Sequence, residues 1–222
     1  MSLIPAFLKH LSHRRVGILI DDIGSSRAAL VAPTQEITPE LVNHVIALSG
    51  GLTFVALSKE RAAAFMLPQM VRPEPAPTRR FLEDDPLKML SSVEAREGIS
   101  TGISASDRAA TLRILGAATP HPRDLVKPGH IFPVEARDGG VLVKAAIPEG
   151  ALDVVSLAGF SDAALFIDLL DAGGELLSAP GAAQFAAAHD LPCARLSDLI
   201  SYRLHRESLV TRTAEAKVPS RI

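Results

Sequence analysis

Seven histidines are scattered through the chain, and none form an HExxH or HxxxH pair, so no metal-ligand spacing stands out. His130 differs from the rest. It lies between Gly129 and Ile131 in KPGHIF, where a turn can hold an imidazole toward a pocket. Its titration near neutrality suits a ligand or a general acid/base, while a loop histidine is as readily a solvated surface group. A second segment, STGISASDRAA at 100–110, gathers small hydroxyl residues ahead of a helix start, with Asp107 and Arg108 at the junction. Backbone N–H groups and hydroxyls in such a cluster suit an anion, and a nearby Arg adds a bidentate charge. Phosphate binding is one reading; an ordinary capped helix with a surface Asp107–Arg108 pair is the other. Ser104 is not in a GxSxG elbow, so no hydrolase triad is supported. Cys193, in LPCAR, has no neighbouring His and reads as a small buried residue. Glycines 50, 51, 139 and 140 form neither GxGxxG nor a Walker loop.

These residues need a framework, and 222 residues can build one large domain. The apolar share of 47% and charged share of 22% exclude a disordered chain. With 23 Lys plus Arg against 25 Asp plus Glu, the net charge of −2 leaves no electrostatic footprint for nucleic acid or an anionic membrane. No apolar run is long enough to span a bilayer. A single cysteine forbids a disulfide framework and fits a reducing, cytoplasmic setting.

The element pattern is mixed α/β. Residues 1–15 predict a short amphipathic helix, with Leu3, Phe7, Leu8 and Leu11 at near-helical spacing, packed on the main domain. VGILI at 16–20 predicts a strand that stops at Asp21 and Asp22, followed by a turn through Gly24, Ser25 and Ser26. Thr38, Pro39 and Glu40 start a helix over 39–49, ended by Gly50 and Gly51. LTFVAL at 52–57 predicts a buried strand, and Ser58 caps a short helix. Residues 72–90 form a Pro-rich loop. Ser106 or Asp107 caps a helix through 109–118, and 127–140 reads as turn-rich. Residues 141–147 predict a strand, 150–159 a helix and 163–170 a buried strand. Asp171, Gly173 and Gly174 make a hairpin-like turn, Pro180 opens a helix to His189, and Ser197 caps the last helix. The main domain covers 16–206, with a polar tail at 207–222.

Several of these segments, in order, resemble the 3,4-dihydroxy-2-butanone 4-phosphate synthase family of riboflavin biosynthesis. They are EGISTGISASDRAAT at 97–111, DLVKPGHIFPVEARDGGVLV at 124–143 and DVVSLAGF at 153–160, with a fainter match at LPQM, 67–70. The resemblance implies a single α/β domain, homodimers with active sites at the interface, magnesium, and ribulose 5-phosphate as substrate. It also implies roles by position. His130 stands for a metal-ligand His, Glu149 for a substrate-contacting Glu, and Lys127 for a phosphate-side Arg. Thr101, Ser104, Asp107 and Arg108 keep the family's TGxSAxDR, and with Gly129 and Ile131 they are expected on the substrate's phosphate side.

Where the family has DDxDRENEGD, this chain reads DDIGSSRAAL, with no carboxylate after Asp21 and Asp22 until Glu36. The family's RHGSG becomes Ala47-Leu48-Ser49-Gly50-Gly51, and its HTE becomes Ile147-Pro148-Glu149. A hard cation wants oxygen ligands and one imidazole makes a poor site, so no cofactor is assigned, and magnesium stays a candidate with His130 as its one named ligand. Retained His130 and Glu149 beside the altered loop predict a repurposed enzyme, doing acid/base chemistry of lyase or isomerase type on a small phosphorylated metabolite. The alternative is a catalytically inactive homologue acting as a binding or regulatory subunit. The standard synthase reaction, which would throw every missing role onto Asp21 and Asp22, is the third.

Overall fold

The structure, a computed structural model, describes residues 3–13, 15–70 and 87–207. Among the described residues eight strands form one mixed sheet: β1 (Gly17–Ile20), β2 (Ala28–Pro33), β3 (Phe54–Leu57), β4 (Lys88–Met89), β5 (Val93–Ala95), β6 (Leu125–Glu135), β7 (Ala163–Asp168) and β8 (Cys193–Arg195). Their order is β4-β6-β3-β7-β2-β1-β8, with β5 also pairing β6. The pairs β1–β8 and β3–β6 are parallel and the others antiparallel.

Successive strand side chains point to opposite faces, and here both faces are covered, so the central strands are apolar throughout. Ile18, Leu30, Val55, Leu165 and Ile167 enter one core with helices α2 (Pro39–Ser49), α3 (Lys59–Ala64), α4 (Ala105–Leu115) and α6 (Ala179–Ala188). Leu19, Val31, Ala56, Ala164 and Phe166 enter the other with α1 (Ile4–Ser12), α5 (Ile147–Leu157) and α7 (Leu196–Arg206). The result is three layers, helices on sheet on helices. Helix α1 contributes Ile4, Phe7, Leu8 and Leu11 to that second core, and Gly17 lacks a Cβ where the Phe7 ring lies against β1.

Locally coded elements fall where expected. The side chains of Thr38, Ser58 and Ser178 accept from backbone N–H groups at the starts of α2, α3 and α6, satisfying donors that a helix start leaves free. Gly50 ends α2 at φ 66°, a backbone state that costs a side chain but not glycine. Asp171 organises the predicted turn, accepting from Gly173 N and Glu175 N.

Four expectations are corrected. Residues 127–140 are not all turn: 125–135 form β6, whose main chain is paired by β3, β4 and β5 despite Pro128 and Pro133. Residues 141–147 are not a strand but a short 3-10 turn leading into α5, which begins three residues before 150 and so takes Glu149 into its first turn. Helix α4 is capped by Ser104 rather than Ser106 or Asp107, and it starts at Ala105. Ser197 does not cap α7; its N–H and Oγ both donate to Asp22. Strand β2 is an addition, because AALVAP carries too little β-branched character to announce itself. Most of the Pro-rich loop and nearly all of the polar tail lie outside the described residues.

Candidate active site

The predicted site residues come from three adjoining elements. Strand β6 carries Lys127, Gly129, His130 and Ile131; the loop 96–104 carries Thr101 and Ser104; the first turn of α4 carries Asp107 and Arg108. What joins them is an irregularity between β5 and β6. Val93 pairs with Ile131 while its neighbour Glu94 pairs with Val126, so the Lys127–His130 stretch bulges out opposite a single β5 peptide. Gly129 packs into that bulge. A Cβ there would overlap the backbone of Val93 and Glu94, so only glycine lets the two chains approach. Its N–H donates to Ser92 Oγ at 3.2 Å.

The bulge brings His130 Nδ1 to 2.9 Å from Glu94 Oε2. The imidazole side chain is 42% exposed and the Glu94 side chain 20%, so the pair sits at a surface with its carboxylate on the inner side. Over it passes Gly102, at φ 80°. A Cβ at that position would overlap Glu94 Oε2 and lie 2.8 Å from His130 Nδ1. Asp107 holds this loop from below, with Oδ2 accepting from Ser100 N at 3.2 Å, Ser100 Oγ at 2.9 Å and Gly102 N at 3.0 Å. Burial raises the Asp107 pKa, but these donors and Ser104 outweigh it and hold the carboxyl below its ordinary value. Asp107 is therefore a loop organiser, with its Oδ2 already committed to three donors. Ser104 is likewise engaged, accepting from Asp107 N at 3.1 Å.

Arg108 leaves the expected surface pair with Asp107 and turns to Thr53, donating to Oγ1 at 3.2 Å, and its partial burial pulls its pKa down. Lys127 donates to the Met66 carbonyl at 2.9 Å. Thr101 is exposed. Ile131 is 1% exposed and belongs to the core, so its side chain has no surface to offer a ligand.

Glu149 lies elsewhere. It is 2% exposed in the first turn of α5, and its Oε1 accepts from Arg137 N at 3.0 Å. About 16 Å of extended strand separates His130 from Glu135, and Arg137 lies two residues further on. Within one copy of the chain, His130 and Glu149 are thus not brought to one point.

Asp21 and Asp22 are structural. Asp21 is 2% exposed and accepts from Ile23 N, Gly24 N, Ser25 N and Ser25 Oγ at 2.6–3.2 Å. Burial works against its charge, yet the donors, Ser25 Oγ first, leave its pKa lowered. Asp22 bonds Ser197 at the start of α7, where an acid also complements the helix dipole.

Glu94 escaped the sequence reading. A lone acid between two buried residues in VEA has the alternation of a half-exposed strand, and nothing local ties it to a histidine 36 positions later.

The chain is a three-layer α/β protein that carries a carboxylate–imidazole pair under a loop of small residues. The comparisons narrow that class. The family described as 3,4-dihydroxy-2-butanone 4-phosphate synthase matches residues 6–202, and the chain belongs to that family. A 3,4-dihydroxy-2-butanone 4-phosphate synthase of Erwinia tasmaniensis is 35% identical over 196 residues, covering 88% of this chain and 87% of the relative. One of Photobacterium phosphoreum is 34% identical over 219 residues, covering 98% of this chain but 58% of the relative. Among solved structures, a two-domain 3,4-dihydroxy-2-butanone 4-phosphate synthase from A. baumannii superposes with a TM-score of 0.86 at 33% identity, over 98% of this chain and 62% of that one. A 3,4-dihydroxy-2-butanone 4-phosphate synthase in complex with two magnesium ions gives a TM-score of 0.83 at 27% identity, over 91% and 97%. The chain thus spans less than two thirds of several longer relatives.

The described residues do not fit a magnesium ion of their own. The carboxylate of Asp21 is taken by four donors, that of Asp22 by Ser197, and one His130 nitrogen by Glu94. Among the described residues no group of three His, Cys, Asp or Glu side chains converges. No helix among them is long and apolar enough to cross a membrane.

Proposed function

We propose that the chain is an acid/base enzyme of this family, acting by lyase- or isomerase-type chemistry on a sugar phosphate or related small polar metabolite, with His130 as the proton-transfer group. The observation that carries this reading is the Glu94–His130 pair at 2.9 Å, built by an irregular strand pairing and a loop that admits no side chain at Gly102. In the proposed step, the imidazole takes a proton from a carbon beside the substrate carbonyl, and the electron pair of the broken C–H bond moves to the carbonyl oxygen to give an enediolate. The carboxylate of Glu94 stabilises the imidazolium that forms. Return of the proton to the former carbonyl carbon, with the hydroxyl proton of the deprotonated carbon passing to the former carbonyl oxygen, completes an isomerisation; collapse of the enediolate with breaking of the β C–O bond, the leaving hydroxyl taking the imidazolium proton and departing as water, completes a dehydration. Lys127, Arg108, Thr101 and the start of α4 supply the cationic, donor-rich side for the phosphate.

The separation of His130 from Glu149 supports a homodimer whose site takes His130 from one copy and Glu149 from the other. A two-fold interface is self-complementary, so a contact between His130 of one copy and Glu149 of the other would recur in both sites.

A second reading, a non-catalytic binding or regulatory homologue, is favoured by the commitment of Asp21 and Asp22 to turn and helix hydrogen bonds. One experiment separates them. Purified protein is incubated with ribulose 5-phosphate in D2O, with and without magnesium, while formate release, deuterium uptake at carbon and thermal stabilisation are followed. Deuterium uptake lost in His130→Ala, without formate, supports the proposed chemistry. Formate shows that the family reaction survives the altered loop. No uptake, no formate and no stabilisation moves the weight to the non-catalytic reading.

A further inference from the structure

We infer that Glu94 is the positioning residue of His130: it fixes the imidazole in the Nδ1–H tautomer and turns Nε2 outward as the free acceptor, with Gly102 as the element that holds the pair closed. The inference deepens the reading of His130 above and borrows from it only the catalytic consequence.

Three observations converge on it. A carboxylate only accepts hydrogen bonds, so at 2.9 Å the proton of a neutral His130 belongs on Nδ1 and the lone pair on Nε2. That tautomer is imposed by the site, because the second nitrogen's role follows from the bond the first one makes. The geometry is also built rather than incidental. Glu94 reaches the ring only because the Val93–Glu94 register shift folds Lys127–His130 back over β5, and because Gly129 leaves room for the Val93 and Glu94 main chain. Finally, the pair is covered. The Gly102 α-carbon passes so close that a methyl group there would overlap Glu94 Oε2, and Asp107 fixes Gly102 through its N–H at 3.0 Å.

The arrangement resembles that of a metal-binding or catalytic histidine backed by a carboxylate, where the backing group orients the ring and raises its basicity. Here the same logic acts on a side chain that is 42% exposed, which leaves ring surface for a ligand while Nδ1 is fixed by Glu94. Glu94 touches no substrate in this scheme; it acts through the ring.

The test reads protons on nitrogen and needs no substrate. Protein labelled with 15N-histidine is studied by long-range 1H–15N correlation above the imidazole titration, with His130→Gln assigning the resonance among the seven histidines. The expected wild-type pattern is Nδ1–H with Nε2 unprotonated. Glu94→Leu, which keeps bulk but removes the acceptor, should move His130 toward the Nε2–H form that free imidazole prefers. Gly102→Ala should do the same by pushing the pair apart. If wild type shows Nε2–H, or if both variants keep the wild-type pattern, the inference fails. Should Glu94→Leu not fold, Gly102→Ala decides alone. A tautomer change in a protein with no turnover leaves the inference standing and removes the enzyme reading; turnover that depends on His130 without a tautomer change does the reverse.

Discussion

The imidazole of His130 and the carboxylate of Glu94 meet at 2.9 Å although 36 positions separate them in the chain. The contact exists because β5 and β6 are out of register by four residues at that point, so the segment Lys127-Pro128-Gly129-His130 doubles back over its partner strand. Three glycine or small-residue positions make it possible: Gly129 beneath, Gly102 above and Ser92 at the side.

Gly129→Ala should be costly, since its new methyl group would meet the backbone of Val93 and Glu94 rather than a flexible side chain. Overpacking of this kind costs about 1–3 kcal/mol, and a strand main chain that cannot yield puts the site at the upper end. Urea unfolding midpoints of the variant and wild type measure it; a difference under about 0.5 kcal/mol would contradict the close approach.

Asp21→Asn tests whether that carboxylate belongs to the turn. Its folded-state pKa lies below the unfolded value, so its contribution is fully present above the unfolded pKa near 3.8 and is lost as pH falls through the folded one. The variant should therefore be less stable than wild type at pH 7, by about 1–3 kcal/mol for the weakened hydrogen bonds, with the gap closing below pH 4. Chemical denaturation at pH 7 and pH 3 reads both values.

Arg203 anchors the loop before Glu149. Its Nη1 donates to Gly139 O at 2.9 Å and to Asp153 Oδ2 at 2.7 Å, while Asp153 also accepts from Val141 N. Burial raises the Asp153 pKa above its ordinary value even with Arg203 beside it. Arg203→Ala should cost about 3–5 kcal/mol by leaving that charge inside unpaired. A raised folded pKa means the penalty applies above it and fades as acid protonates the group, so the loss should shrink on lowering the pH. A loss that is the same at pH 7 and at pH 3, below the ordinary carboxyl value, would show that Asp153 is not its cause.

The proposed composite site makes a mixing prediction. His130→Ala and Glu149→Ala should each abolish deuterium uptake from D2O into the substrate. Co-refolded in equal amounts, they should recover about one quarter of wild-type activity, because half the dimers are mixed and each mixed dimer has one intact site. No recovery in demonstrably mixed dimers would place both residues in one copy's site.

Much of the framework was legible because it is written locally. Thr38, Ser58 and Ser178 cap helices using atoms a few residues away, and apolar runs such as VGILI and AALFI announce buried strands without help from the rest of the chain. The misreadings share a cause. Strand β6 contains Pro128, Gly129 and Pro133, which locally signal a turn, yet β3, β4 and β5 pair with it from both sides. Helix α5 starts at Ile147 because the sheet face buries Ile147, Ala151, Val154 and Val155 together, and among the described residues the segment before it pairs with no strand.

The sequence by itself determined which side chains are present to do chemistry: His130 in KPGHIF, the STGISASDR cluster, and an acidic loop reduced to Asp21 and Asp22. Only the tertiary structure decided how they are used. Asp107 was a candidate for phosphate and became a loop clamp, Asp21 and Asp22 were possible site residues and became turn and helix anchors, and Glu94, which had no local mark, became the partner of His130. The reason is that a cap or a strand run is stabilised by neighbours within a few residues. A carboxylate's partner is whichever donor the folded chain places within about 3 Å, and strand register, a long-range property, sets that distance.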